Sequence, residues 1–235
     1  MSNQEGLSGG GQAAFVAFAK NPELVPVKTR LANTLGQEQA RKLYLALLED
    51  CLASLKSIKS VKHYLAVYPD VTGKLLPDLA AKYDFSLVQQ EGEDLGERML
   101  NCVKTLLSSH LAVIIFGTDM PELPLSGIEK TLSQMEQWNV LLGPSRDGGY
   151  WAFGANKVHD RMFDGIQWGG DSVFVETVKN CARLGLEVSF LDISEDIDDQ
   201  QSLGRFCKWL AQRKDGAPAS REVLKELGLL VGRES

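Results

Sequence analysis

Several kinds of chemistry are excluded by what this sequence has little of. Its three histidines, His63, His110 and His159, lie far apart and show no metal-ligand spacing. No Ser/His/Asp set can be assembled from it. The one formal G-x-S-x-G match, "GLSGG" at Gly6–Gly10, has no strand before it and lacks the context of a hydrolase elbow. Four cysteines, Cys51, Cys102, Cys181 and Cys207, form no C-x-x-C, and each falls inside a helical pattern. Buried free thiols in a reducing compartment, the cytoplasm, are the expectation. No apolar run approaches the roughly 20 residues of a membrane span. The opening stretch "MSNQEGLSGGGQ" has neither a basic start nor an apolar segment, so it does not read as a signal peptide. Basic residues are outnumbered, 25 against 31 acidic ones, for a net charge of -6. That balance argues against a nucleic-acid partner. Neither G-x-x-x-x-G-K-[ST] nor a G-x-G-x-x-G after the first strand occurs, which excludes a P-loop and a dinucleotide fingerprint.

What is present is a globular composition, 44% hydrophobic and 24% charged over 235 residues. A chain of that size can build a core without disulfide or metal staples. Residues 1–12 are rich in Gly and Ser and read as a flexible tail. Residues 13–235 read as a single domain. "AAFVAFA" is a short buried-strand run. In Gly36–Ile58 apolar residues recur at helical steps from Ala40 through Leu43, Tyr44, Leu47 and Leu48 to Ile58. Further strands are expected at His63–Tyr68, Ser86–Gln89, Leu111–Phe116, Val140–Gly143, Tyr150–Gly154 and Glu187–Leu191. Helices are expected at Leu95–Leu107, Leu125–Trp138 and Ser172–Leu184, with two more from Gln200 to Leu230 split near "DGAPAS". The loop between Val140–Gly143 and Tyr150–Gly154 is too short for a helical crossover, so one of those strands runs antiparallel to the rest. The fold class is α/β: three layers, α/β/α, around a mostly parallel sheet with one antiparallel strand. Such sheets bind ligands beyond the carboxyl ends of their strands.

Four stretches sit at those ends. "FAKNPELVPVKTRLA" places Lys20, Lys28 and Arg30 at one strand-to-helix crossing of an acidic chain. Free amides and cations there suit phosphate oxygens. In "GTDMPEL", Asp119 follows the strand tip and Pro121 blocks further helix. Asp119 reads either as a carboxylate for Mg2+ or Mn2+ or as a loop cap. "GPSRDGGYWAFG" presents Asp147, Gly148 and Gly149 in a strand-to-strand turn that can also meet a substrate. In "GIQWGGDSVF", Asp171 reads as a helix cap or a substrate contact, and Trp168 as a cover for a sugar or base or as a packed loop residue. "LDISEDIDDQQSL" adds Asp192, Glu195, Asp196, Asp198 and Asp199, among which spacing alone selects no metal ligand.

In this order, "FAKNPELVPVKTRLANTLG", "GEDLGERM", "GTDMPELP", "LLGPSRDGGYWAFG", "WGGDSV" and "DIDDQQSL" resemble the GT-A-like nucleotide-diphospho-sugar transferase superfamily, and within it the bacterial DUF2064 branch. The likeness runs over nearly the whole chain after the tail. It implies one α/β domain of GT-A type and nucleotide binding at the first strand's crossing. It also implies a divalent metal near Asp119, with Asp198 matching the late acidic position that can complete the metal site. "VPVKTRLA" is also similar to the basic loop of the family that activates phospholactate with guanosine triphosphate. Two departures stand out. No glycine occurs from Lys20 to Leu35, where sugar nucleotidyltransferases carry a Gly-rich loop. "GTD" supplies one Asp where glycosyltransferases of this fold usually carry D-x-D.

The resemblance thus implies a metal-dependent transferase that uses a nucleotide sugar or a nucleoside triphosphate, in glycosyl or nucleotidyl transfer to a small-molecule acceptor. One alternative is a guanylyl- or nucleotidyltransferase acting on a small phosphorylated acceptor. Another is a nucleotide-binding module without turnover. No catalytic residue is assigned, and assembly into a homo-oligomer is left open.

Overall fold

The structure, a computed structural model, describes residues 11–230 apart from Glu122. The expected tail at residues 1–12 therefore falls, but for its last two residues, outside the described residues.

Seven strands form one sheet: β1 (Ala13–Lys20), β2 (Val61–Tyr68), β3 (Ser86–Gln89), β4 (Val113–Gly117), β5 (Val140–Pro144), β6 (Tyr150–Ala155) and β7 (Val188–Phe190). Their order across the sheet is β3-β2-β1-β4-β6-β5-β7. β1 lies near the middle, is apolar along both faces, and is buried from Ala13 to Ala17. That is the pattern of a parallel strand covered on both sides. β1 pairs in parallel with β2 and β4, β2 with β3, and β5 with β7. β6 is antiparallel to both of its neighbours, β4 and β5. The strand that reverses is thus the second of the pair flanking the short loop.

Eight α-helices accompany the sheet among the described residues: α1 (Thr29–Leu35), α2 (Gln37–Lys56), α3 (Leu75–Tyr83), α4 (Leu95–Leu107), α5 (Leu125–Leu132), α6 (Val173–Arg183), α7 (Gln200–Ala211) and α8 (Pro218–Glu226). α3 has no counterpart in the sequence reading. Its Pro77 falls in the first turn, where a missing N–H costs no helical bond, so it does not mark a loop. α5 is shorter than expected. It stops at Leu132, a single 3-10 turn spans Met135–Gln137, and the Trp138 indole folds back to donate to the Thr131 carbonyl at 3.1 Å.

One face of the sheet packs Phe15, Leu65 and Phe116 against Leu48, Cys51 and Leu52 of α2, Leu76 of α3 and Ile128 of α5. The other packs Val16, Ile115 and Phe153 against Met99 and Val103 of α4 and Cys181 of α6. These are the three layers. A further cluster lies on the far flank of α2, where Leu43 and Leu47 meet Leu31 of α1, Phe206 and Leu210 of α7, Leu224 of α8 and Ile197. All four cysteines are free thiols, with Cys51 and Cys181 buried. Among the described residues no helix is long and apolar enough to cross a membrane.

Candidate active site

The parallel strands β1, β2 and β4 bring their carboxyl ends to one rim of the sheet. The reversed β6 brings its amino end to the same rim. Lys20 pairs in register with Tyr68, Phe18 with Gly117, and Pro144 with Tyr150. The loops after these residues therefore meet.

The loop after β1 is held from below. The Tyr44 hydroxyl of α2 donates to the Lys20 carbonyl and accepts its amide, both at 2.8 Å. Asn21 is fully buried; its amide nitrogen donates to the carbonyls of Asp70 at 3.0 Å and Thr72 at 2.6 Å. Glu23 reaches across to accept the amides of Lys74 and Leu75, both at 2.9 Å, and so caps α3. Those two bonds hold its carboxyl below the usual carboxylate range. "NPE" is thus a structural anchor that stitches the β1 loop to the loop after β2.

The loop then delivers Lys28. Its backbone is left-handed, with φ 49° and ψ 44°, at the start of α1. Its side chain turns inward rather than toward open solvent. Nζ pairs with Asp119 Oδ1 at 2.6 Å and donates to the Ile197 carbonyl at 2.5 Å, with 2% of the side chain exposed. Sequence reasoning assigned Lys28 to phosphate. In the structure it pairs with the strand-tip carboxylate, since a buried ammonium needs an ionic partner. Asp119 keeps 39% of its side chain exposed on its other side, and its backbone carbonyl accepts the Ile197 amide at 3.0 Å.

That last bond draws the acidic segment after β7 against the tip of β4. Asp196 is the member of the segment that lies within electrostatic reach of both Asp119 and Asp147. Ser145 Oγ donates to its Oδ2 at 3.2 Å. Burial, and then the neighbouring Asp119 and Asp147 carboxylates, push the Asp196 carboxyl up to about 7, against the pull of Lys28 and Ser145. Asp198, the expected late ligand, pairs with Arg30. Its Oδ2 accepts from Arg30 Nη1 at 3.1 Å in an exposed pair. Asp199 caps α7 through the Ser202 amide at 2.8 Å.

The turn after β5 carries Asp147, whose Oδ1 accepts the Gly149 amide at 3.0 Å. Gly148 has φ 90°, and a Cβ there would run into the Asp171 backbone. Its carbonyl accepts the Phe174 amide at 2.9 Å, which ties the turn to the start of α6. Asp171 thus enters through its main chain; its side chain is exposed, and the cap position of α6 is Ser172. Trp168 packs against Gly96 of α4, where a Cβ would clash with the indole, and edge-on to Phe163 at 5.5 Å. Lys20 is exposed at the end of β1. Arg98 of α4, which the sequence reading did not select, lies over the Tyr68 ring at 4.3 Å, and its buried Nε has no partner among the described residues.

The structure therefore brings together Lys28, Asp119, Asp147 and Asp196, with Arg30 and Asp198 alongside. No group of three acidic, His or Cys ligands spaced to hold a metal exists among the described residues. Asp119, with 39% of its side chain exposed, and the neighbouring Asp196 are hard oxygen donors of the kind Mg2+ or Mn2+ takes, one or two protein carboxylates sufficing where water and phosphate oxygens complete the shell.

Residues 51–170 match the family described as "Uncharacterized protein conserved in bacteria (DUF2064)", and the chain belongs to it. Among solved structures, a nucleotide-diphospho-sugar transferase candidate from Desulfovibrio desulfuricans G20 is 28% identical, with a TM-score of 0.80 over 94% of this chain and 100% of that one. The inositol-1-phosphate CTP transferase of T. maritima shares the fold at 14% identity and a TM-score of 0.59, over 92% of this chain and 98% of its own. So does the 4-diphosphocytidyl-2C-methyl-D-erythritol synthase of Anaerococcus prevotii DSM 20548, at 14% and 0.57, over 87% and 100%. None of the curated proteins matches the sequence.

Proposed function

We propose that this chain is a metal-dependent transferase that uses a nucleotide sugar or a nucleoside triphosphate and passes a glycosyl or nucleotidyl group to a small-molecule acceptor. The observation that carries the reading is the meeting of Asp119 and Asp196 with Lys28 at the carboxyl ends of β1 and β4. The 28% identical candidate of the same fold lends it weight. Asp119 and Asp196 are the residues to hold the divalent ion. When bound, that ion supplies charge neutralisation and orientation of the phosphates. The chain's own cations do the rest. Lys20 at the end of β1 and Arg30 on α1 are exposed at the crossing and are suited to phosphate oxygens. Each charge-assisted hydrogen bond of that kind is worth about 1.5–3 kcal/mol. Asp147 and the backbone of Gly148 and Gly149 form the wall across from them, and Trp168 and Asp171 border it.

The test is a thermal-shift screen of nucleoside triphosphates and nucleotide sugars, with and without Mn2+. A true donor at a hundredfold excess over its Kd stabilises by about 2.7 kcal/mol. Pyrophosphate release from a triphosphate, with no reaction of any nucleotide sugar, selects nucleotidyl transfer. Tight nucleotide binding that ignores the metal overturns the metal-dependent reading and selects a binding module.

A further inference from the structure

We propose that Lys28 is a resident cation that holds the Asp119 carboxylate until a divalent ion replaces it, and that the displaced ammonium then serves the incoming phosphates. The inference rests on the reading of Asp119 as a metal-holding residue and concerns what occupies that carboxylate beforehand.

Four features of the site support it. First, the Lys28 ammonium is withdrawn from solvent and fixed by two short contacts, 2.6 Å to Asp119 Oδ1 and 2.5 Å to the Ile197 carbonyl. Both partners are oxygens, one anionic and one a carbonyl, the same hard donors that a Mg2+ or Mn2+ ion takes. Second, Asp119 faces two ways, with a buried ammonium on one side and the open crevice on the other. A carboxylate so placed can pass from one cation to another without moving its backbone. Third, the Ile197–Asp119 backbone bond and the Ser145–Asp196 bond gather the carboxylates of Asp119 and Asp196, with Asp147 on the adjoining turn, about this single ammonium. One lysine under-compensates them, so a doubly charged ion is favoured there. Fourth, the residue that would have to leave sits on a flexible four-carbon stem, at a left-handed backbone position that non-glycine residues adopt at a cost. The next turn of chain carries Arg30, so a released Lys28 ammonium emerges beside a second cation suited to phosphate.

The competing account keeps Lys28 in place as a fixed brace that aims Asp119 at the ion. Losing a neighbouring positive charge favours Mn2+ in either account, so the two part on whether pyrophosphate tightens Mn2+ binding in the mutant as much as in wild type. Mn2+ is titrated calorimetrically into wild type, Lys28→Met and Asp119→Asn, each with and without pyrophosphate. If Lys28 competes with the ion, Lys28→Met binds Mn2+ alone at least tenfold more tightly than wild type. Pyrophosphate, which tightens Mn2+ binding in wild type, then does so much less in the mutant, because the displaced ammonium is no longer there to meet it. Asp119→Asn binds weakly in every case. Equal or weaker Mn2+ binding by Lys28→Met, or an undiminished effect of pyrophosphate in it, overturns the exchange. If neither wild type nor Lys28→Met binds Mn2+ in either condition, the metal reading of Asp119 fails and the exchange falls with it. Lys28→Gln, which keeps a donor for the Ile197 carbonyl without the charge, takes the place of Lys28→Met should the latter not fold.

Discussion

The Asp50 carboxylate of α2 closes the start of α8. It accepts the Ala219 amide at 2.9 Å and the Ser220 amide at 2.8 Å across 169 residues of chain. Burial pushes its carboxyl up, and the Ser220 and Ala219 bonds pull it back. Pro218 at the first helical position removes one orphan donor of α8, and Asp50 takes the next two.

Asp50→Ala leaves those two amides without an acceptor, at a site where Asp50 is 3% exposed. The expected loss is about 2–3 kcal/mol. Urea unfolding of wild type and mutant measures it. An unchanged midpoint would show that water replaces the carboxylate at no cost.

His63 confers an acid sensitivity far from the crevice. Its ring lies between Phe15 and Phe85, with centroids at 6.2 and 5.1 Å, and its Nε2–H donates to the Leu55 carbonyl at 2.9 Å. Burial holds its pKa below the ordinary 6.5. The fold therefore prefers the neutral ring. Stability is complete above about pH 6.5 and declines as the pH falls below it, where the unfolded chain takes up a proton that the folded chain refuses. The slope of melting temperature between pH 7 and 5 should flatten in His63→Gln. A parallel slope in that variant would assign the acid sensitivity to other groups.

Much of this architecture is legible in the sequence, and the exceptions have physical causes. β6 was read as one of two strands of which one must reverse, because the turn between Pro144 and Tyr150 is too short for a crossover. α2 announced itself by its periodicity. α3 did not, since Pro77 reads as a breaker unless its place in the first turn is known. In the sequence, Asp119 stands out because Gly117 and Pro121 bracket it at the strand tip. The sequence reading takes Asp198 from the family resemblance, and the nearness of Asp196 to Asp119 has no local signature, since it follows from the Ile197–Asp119 backbone bond that sets the course of an irregular segment. Lys28 reads in the sequence as a phosphate-binding cation, and nothing in "VPVKTR" encodes the inward turn that pairs it with Asp119.

Asp196→Asn tests the crowding of charge. The folded protein holds the Asp196 proton up to about pH 7, whereas an unfolded chain releases it near pH 3.9. Raising the pH through that window therefore costs the metal-free protein stability. Asp196→Asn removes this cost and keeps the size of the side chain. Its melting temperature should exceed wild type's at pH 8 by roughly 2–4 °C for each kcal/mol gained, and match it at pH 4. A lower value at pH 8 would mean that ionised Asp196 is already well compensated.

Gly148→Ala meets two obstacles, the positive φ of 90° and the Asp171 main chain. Relief requires the turn to leave α6 and to give up the Phe174–Gly148 bond. A loss of roughly 2–4 kcal/mol is expected, with weaker nucleotide binding. Gly165→Ala is the control, since it shares a positive φ but meets nothing within 4 Å. If both substitutions cost the same, backbone strain alone is at work and the contact with Asp171 carries no weight.

α2 has a core on each flank, one shared with the sheet and one with α1, α7 and α8. It serves as a party wall, and neither room stands without it. Clipping the chain before Gln200 would bare Leu43 and Leu47 along its middle, so the C-terminal helices cannot be shed as a separate module. Between Leu43 and Leu52 all but Leu45 and Glu49 are buried, and these amides should exchange among the slowest in the protein, only as the whole unfolds. Tyr44, on that same wall, holds the end of β1 through Lys20. Damage to the packing of α7 and α8 would therefore register at the crevice beyond β1, on the opposite flank of the helix from where it was inflicted.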